Sequence, residues 1–386
     1  MAQELAFVLI NPYTVSKSRT GGVIGRYISR TGLDLVAARM FAPSAELAKK
    51  YAELIRKDPA VDPASSALLA EYVEQQFAPD PTTGATRRVM MLLFEGEDAI
   101  QKVKKATGPI RPDNSGETIR DTYGDYILNT SGMVQYLEPA VFIGPSVEST
   151  AEALRLWSGY SPECGGIVDA AGDVTQDATA EKVLVILKPD NFRFASARPG
   201  HIIDIFSRSG LRIVGAKIHR MSVKEAEEFY GPVQYVLREK LKGMVAERAA
   251  KAIASELDMK VPDAVKGQLS ELLGPMYGDN QFYKIVQFMT GRWGEGLVEE
   301  EKAKPGTERS LLLVYTGSNA VSRIRDILGP TDPSKALPGS VRREFGQDIM
   351  VNAAHASDSV ENARREMGIT KVGDDTIRQW VDVYYP

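Results

Sequence analysis

Residues 28–40 read ISRTGLDLVAARM, and residues 206–218 read FSRSGLRIVGAKI. In each, a helical pattern runs into a glycine, Gly32 or Gly210, and then into an apolar run. A glycine there is where a helix ends, and the run behind it fits a buried strand. The same helix–glycine–strand unit occurs twice in one chain, and internal repetition decides architecture. Working outward, FVLINP (7–12) resembles LVILKP (184–189), and MMLLFEGEDAIQKVKKATGP (90–109) resembles LLLVYTGSNAVSRIRDILGP (311–330). Further on, ETIRDTYG (117–124) matches GSVRREFG (339–346), and SVESTAEAL (146–154) matches SVENARREM (359–367). The matches are colinear, so the chain reads as a tandem duplication: one module over 1–157 and a second over 181–386. Between them, 158–180 is rich in Gly, Ser, Asp and Ala and reads as a solvated linker.

Each module opens with a short apolar strand (5–10, 183–187), followed by a helix, a second strand (33–40, 211–218) and a helix (44–56, 222–230). A third strand (90–94, 311–315), a third helix, a long loop, a fourth strand and a closing helix complete it. The expected class is α/β of the α+β kind: two tandem ferredoxin-like split βαβ modules, each an antiparallel sheet with helices on one face. The second module is longer. Tyr230 to Leu311 spans far more chain than the matching Tyr51 to Val89, and the excess, about 231–280, carries VLREKLKGMVAERAAKAIASELDM (236–259) and DAVKGQLSELLGPM (263–276). Helix formers with apolar residues three and four apart predict a helical insertion.

The length of 386 residues is ample for two cores. With 43% hydrophobic and 25% charged residues the composition is that of an ordinary soluble protein, not a disordered or collagen-like chain. A balance of 47 basic against 51 acidic residues, net −4, supplies no basic field for a nucleic-acid backbone. The single cysteine, Cys164, excludes an intrachain disulfide and a multi-cysteine zinc site. The N-terminal MAQELAFVLINPY has no basic region ahead of its apolar run, and no apolar stretch is long enough for a membrane span, so a cytoplasmic location without membrane contact is expected.

Three histidines, His201, His219 and His355, are the whole imidazole supply. His201 falls in a helix explained by Ile202, Ile203 and Phe206, and His219 ends a strand; both read as structural. His355 stands in NAAHASDSVENARREMG (352–368). Ser357-Asp358-Ser359 marks a helix start, Asp358 with Glu361 fits a capping box, and Gly368 is expected to stop the helix. His355 therefore ends a strand just before a helix N-terminus, where exposed amides favour an anion. Glu366, eleven residues on, can reach back to orient the ring, and a histidine oriented by a carboxylate is a candidate nucleophile. A loop histidine beside an ordinary helix cap is the alternative on this local pattern.

NAAHASDSVENARREMG resembles the active-site signature of nucleoside diphosphate kinases, in which Asn-x-x-His-x-Ser-Asp-Ser surrounds the histidine that becomes phosphorylated. GPTDPSKALPGSVRREFG (329–346) is similar to that family's phosphate-binding loop, VLVILKPD (183–190) to its first strand, and FYKIVQFMTG (282–291) to the segment packing on the base. The resemblance implies that His355 accepts the γ-phosphoryl group of a nucleoside triphosphate and passes it to a diphosphate. Glu366 and Ser357 would hold the ring, Arg325, Thr331 and Arg342 contact phosphate oxygens, and Lys188 and Asn352 serve the ribose 3′-hydroxyl region, with Lys188 also on the travelling phosphate. Tyr230 would sit by the transferring group and Phe282 stack on the base. Mg²⁺ would come with the nucleotide, with no metal site of the protein's own. Arginine forks and a lysine charge suit phosphate, and a neutral imidazole, with an ordinary pKa of about 6.5, is nucleophilic at pH 7.

Read through the repeat, the first module has lost this set. Asn11 stands opposite Lys188, Lys104 opposite Arg325, Ile110 opposite Thr331, Pro139 opposite Asn352 and Phe142 opposite His355; only Arg120, opposite Arg342, keeps its type. Phenylalanine cannot accept a phosphoryl group, so the first module is expected to be a degenerate pseudo-domain. It is expected to pack on the second as an intramolecular pseudo-dimer, with pairs of chains associating further. Because the insertion enters the hairpin expected to hold the base, the other reading is a nucleotide-binding scaffold or regulatory protein with little turnover. Retention of the full second-module set favours the kinase.

Overall fold

The computed structural model describes residues 3–111, 115–172 and 179–386. The chain forms two compact units, one of residues 1–219 with 311–386 and a helical one of residues 220–310.

Taking the strands of the two main sheets and the helices of eight residues or more in chain order, the first module comprises β1 (Gln3–Ile10), α1 (Thr20–Thr31), β2 (Asp34–Phe41), α2 (Ala45–Lys57), α3 (Pro63–Gln76), β3 (Val89–Glu97), α4 (Ala99–Thr107), β4 (Val141–Ile143) and α5 (Val147–Cys164). The second continues with β5 (Ala180–Leu187), α6 (Arg198–Ser207), β6 (Arg212–His219), α7 (Val223–Leu257), α8 (Asp263–Thr290), β7 (Ser310–Ser318), α9 (Ala320–Leu328), β8 (Ala354–Ala356), α10 (Val360–Thr370) and α11 (Ile377–Tyr384). The sheet orders are β4-β1-β3-β2 and β8-β5-β7-β6, with Gly165–Gly166 added beside β2. β1 pairs antiparallel with β3 and β4, and β5 with β7 and β8. Both sheets thus have the split βαβ order, the first and third strands central. Gly32 (φ 66°) caps α1 in the left-handed conformation as expected, whereas α6 ends earlier, at an Arg208 cap, and Gly210 (φ 65°) makes its left-handed turn beyond it.

The registers fix the repeat residue by residue. Phe142 lies opposite Leu9 on β1, and His355 lies opposite Ile186 on β5, which the repeat aligns with Leu9. Just before each short strand a non-glycine residue turns left-handed, Ala140 (φ 60°) and Ala353 (φ 69°). Its carbonyl accepts the backbone N–H of Asn11 (3.1 Å) or Lys188 (3.0 Å).

The modules pack against each other inside one unit. α1 crosses α6 at glycines: a Cβ on Gly200 would lie 2.2 Å from the Gly21 carbonyl oxygen and 2.6 Å from Gly25 N. Val168 N donates to Val214 O (2.8 Å) and the buried Arg88 to Ile213 O (2.6 Å), tying first-module chain to β6. One apolar core contains Val8, Tyr27 and Phe94 from the first module and Val185, Phe206 and Tyr315 from the second.

Three features differ from the sequence reading. The expected linker begins inside α5, where Ser158, Ser161 and Cys164 are buried. Its small residues serve close packing: a Cβ on Gly165 would meet Arg39 Nε at 2.4 Å, and Arg39 donates to Ser161 O (3.2 Å). Residues 173–178 of that stretch lie outside the described residues. Second, the cap of α10 is Ser359, accepting from Asn362 N (3.0 Å), not a box of Asp358 and Glu361, and the helix runs through Gly368 to Thr370. Third, α11 lies on the first module, with Ile377 and Val381 in a core alongside Phe7, Tyr51 and Trp157. Tyr385 donates to Leu5 O (2.6 Å), and Arg39 donates to Gly373 O and Asp374 O (2.9 and 2.8 Å).

In the helical unit, the excess chain is a lengthening of a hairpin's own two helices. α7 starts at a Ser222–Glu225 capping box and runs 35 residues, and α8 runs 28 residues to Gly291. The two lie antiparallel, tied by Arg238–Asp279 (2.7 Å) and Lys242–Glu271 (3.1 Å). A Cβ on Gly278 would meet Arg238 Cα at 2.6 Å, so the glycine lets the helices close. The corresponding first-module helices, α2 and α3, have 13 and 14 residues. Counted from their serine caps, Ser44 and Ser222, Tyr51 matches Phe229, one residue before Tyr230. No described helix is long and apolar enough to cross a membrane.

Candidate active site

β8 is only three residues long, but its pairing with β5 sets His355 at the sheet edge. The left-handed Ala353 costs about 1–2 kcal/mol for a residue with a Cβ. Two bonds to its carbonyl hold it there, from Lys188 N and from Asn191 Nδ2 (2.6 Å). α10 then returns alongside β5 and carries Glu366 back to the ring.

His355 Nε2 lies 2.9 Å from Glu366 Oε2, and Ser357 Oγ donates to the same oxygen at 2.6 Å. The imidazole is 22% exposed, whereas the Glu366 side chain is 6% exposed. One carboxylate oxygen accepting from both groups makes Nε2–H the ring donor and places the imidazole lone pair on Nδ1.

A second group surrounds Lys188. Its Nζ donates to Asn352 Oδ1 (2.7 Å) and Met350 O (3.2 Å), and Asn352 Nδ2 donates to Thr331 O (3.1 Å) and Ile349 O (2.7 Å). Burial, helped by the nearby Arg342 charge, pushes the Lys188 ammonium down from 10.5 to about 8. Arg342 donates to Gly329 O (3.0 Å) and Ala354 O (3.1 Å), so its guanidinium reaches the backbone residue that precedes His355.

The structure therefore joins His355, Ser357 and Glu366 in one contact set, and Lys188, Asn352 and Thr331 in another, with Arg342 bonded to the strand that carries His355. Thr331 takes part through its carbonyl. Arg325 stands exposed on α9. Tyr230 and Phe282 lie on α7 and α8 in the helical unit, where both are buried. Sequence reasoning passed over Asn191 and Arg198. Asn191 Nδ2 clamps the carbonyls of Ala353 and Lys188, and its Oδ1 accepts from Arg198 Nε (2.7 Å). Arg198 also pairs with Asp190 (2.8 Å), whose carboxyl burial pushes upward. The signal for Asn191 was the run Lys-Pro-Asp-Asn (188–191) directly after an apolar strand, and Arg198 lies beyond it.

The first module shows the same backbone without this chemistry. Arg120 repeats both bonds of Arg342, donating to Gly108 O (3.0 Å) and Val141 O (3.4 Å). Asn11, in the Lys188 position, donates to Glu138 Oε1 (2.9 Å), and Tyr72 donates to the other carboxylate oxygen. Phe142 sits among rings, 5.3 Å from Phe77 and 5.8 Å from Tyr72 between centroids.

The model of the nucleoside diphosphate kinase family matches residues 4–132 and 235–371, well over half of the chain. The chain belongs to the nucleoside diphosphate kinase family. The second matched segment contains His355, Ser357, Glu366, Arg342 and Asn352, and Lys188 lies outside both. The chain is 32% identical over 188 residues to a nucleoside diphosphate kinase of Chlamydia abortus, covering 48% of this chain and 89% of that one. It is 31% identical over 189 residues to nucleoside diphosphate kinase 2 of Protochlamydia amoebophila, covering 49% and 90%. A solved NDP kinase from Pyrobaculum aerophilum is 27% identical with a TM-score of 0.34, over 51% of this chain and all of that one. As a member of the nucleoside diphosphate kinase family, the chain is a phosphotransferase.

Proposed function

We propose that the second module transfers the γ-phosphoryl group of a nucleoside triphosphate to a nucleoside diphosphate through a phosphohistidine at His355. The observation that carries this is the Glu366 carboxylate, itself held by Ser357, on His355 Nε2, which makes the Nδ1 lone pair the nucleophile. In the first half-reaction Nδ1 forms a bond to the γ-phosphorus, the bond to the β–γ bridging oxygen breaks, and the nucleoside diphosphate leaves with that electron pair. The second half-reaction runs the same step backwards onto another diphosphate. Glu366 stabilises the cationic ring as it forms. Lys188 and Arg342 supply positive charge to the equatorial oxygens, where phosphoryl transfer spreads its charge. Arg325, Thr331 and Asn352 complete the phosphate and ribose contacts, while Tyr230 and Phe282 are assigned to the transferring group and the base. Mg²⁺ arrives on the nucleotide phosphates, and the reaction belongs in the cytoplasm.

The test is brief incubation with γ-labelled ATP, an alkaline quench and mapping of the acid-labile label. Label is expected on His355 and on neither His201 nor His219, and His355→Ala is expected to fold and to lose transfer. Label elsewhere, or full transfer by the variant, would overturn the assignment. Association of chains is read separately, by light scattering across concentration.

A further inference from the structure

The first module keeps a cavity where the second module carries its proposed site. It has a volume of about 540 Å³, within the range of small-molecule pockets. Phe142 lines it in the place of His355, and Lys104 and Arg120 line it in the places of Arg325 and Arg342. Val61 and Leu69, from the α2–α3 hairpin, give it an apolar wall.

The charge at the floor is uncompensated. Arg120 spends its two terminal nitrogens on carbonyl oxygens, its Nε has no partner, and no carboxylate among the described residues pairs with it. Burial pushes it down from 12.5 to about 10, so it stays cationic at neutral pH. Among the described residues Lys104 Nζ bonds only Pro145 O, at 3.4 Å. Two carboxylates, Asp58 and Asp62, line it from the hairpin, each accepting a backbone N–H of its own turn (both 2.9 Å). A cationic floor, an apolar wall and acceptors for hydroxyl groups suit a molecule with phosphate at one end and a base and sugar at the other.

We propose that the first module is a second nucleotide site, which holds a nucleoside di- or triphosphate without transferring its phosphate. The ligand class rests on the reading of the second-module site, through the repeat. Retention without turnover follows from Phe142, which offers no atom for a phosphoryl group.

The test is equilibrium dialysis of the full chain carrying His355→Ala against labelled ADP with Mg²⁺. Two ADP per chain are expected. Adding Lys104→Glu is expected to weaken one of them at least about tenfold, since a phosphate contact becomes a repulsion. Ser65→Trp, which fills the cavity from its wall, is expected to do the same, and Lys188→Ala is expected to weaken the other. A single ADP, insensitive to Lys104→Glu and Ser65→Trp but lost with Lys188→Ala, would overturn the second site and leave the kinase reading intact. Two ADP per chain with no phosphorylation of His355 in the wild-type chain would do the reverse. Inorganic phosphate binding at the Lys104-sensitive site as tightly as ADP would overturn the nucleotide assignment.

Discussion

Replacing Lys188 with methionine should separate stability from activity. Lys188 is 9% exposed, and burial takes its ammonium from 10.5 to about 8. At 1.36 kcal/mol per tenfold, holding that charge inside the folded chain costs about 3 kcal/mol at pH 7. Methionine removes the cost but also the bonds to Asn352 Oδ1 and Met350 O, worth about 2–3 kcal/mol together. The two nearly cancel, so Lys188→Met is expected within about 1 kcal/mol of wild type at pH 7. The balance changes with pH. Because the folded-state value is depressed, between about 8 and 10.5 the unfolded chain holds a proton the folded chain has shed. Wild-type stability therefore rises over that window by about 3 kcal/mol, and the variant lacks this term. Urea unfolding of both proteins at pH 7 and pH 10 reads the difference, because other titrations cancel between them. Transfer at pH 7 is expected to fall about 10²-fold, as one cation facing developing charge is removed. Parallel stabilities at the two pH values would refute the buried-charge argument, and unimpaired transfer would refute the role of Lys188.

Glu366→Gln should lower turnover about 30-fold, from about 2 kcal/mol of lost support for the cationic ring, with nucleotide KM little changed; a pure KM effect would count against it. Gly200→Ala puts a methyl 2.2 Å from the Gly21 carbonyl, and the urea midpoint should fall by the equivalent of about 2–4 kcal/mol; an unchanged midpoint would mean that α1 and α6 do not meet there. Burial raises Glu138, so below its ordinary 4.5 the folded chain carries no penalty for it, and stability is lost as pH rises through the raised value. Glu138→Gln should therefore gain stability at pH 7 relative to pH 4, and an unchanged difference between those two pH values would overturn the buried-carboxylate account.

The repeat made the module plan legible because its signals are local. Gly32 caps its helix and Gly210 makes the left-handed turn just past its own, and the apolar runs behind them become β2 and β6. His355, Ser357 and Glu366 were legible because two of them share a strand end and the third lies on the next helix. What stayed hidden depends on distant chain. The pairing of Gly165–Gly166 with β2 is made by backbone atoms, and glycines leave no side-chain pattern to read. The docking of Ile377 and Val381 onto the first module pairs residues hundreds of positions apart. Asn191 acts by fixing a carbonyl, which residue type alone does not announce.

The two modules together form a control for each other. Arg120 and Arg342 make the same two bonds, to the carbonyl after the third helix and to the carbonyl on the short edge strand. Keeping the arginine therefore needs no chemistry, since losing it would strand two carbonyls that anchor the loop. At the lysine position the first module carries Asn11 bonded to a carboxyl, Glu138, shared with Tyr72, where Lys188 offsets its desolvation with bonds to Asn352 Oδ1 and Met350 O. At the histidine position Phe142 completes a ring cluster in place of a partly exposed imidazole. On the proposed reading, phosphoryl transfer at His355 accounts for the second module carrying Lys188, Asn352 and His355 where the first carries Asn11, Pro139 and Phe142.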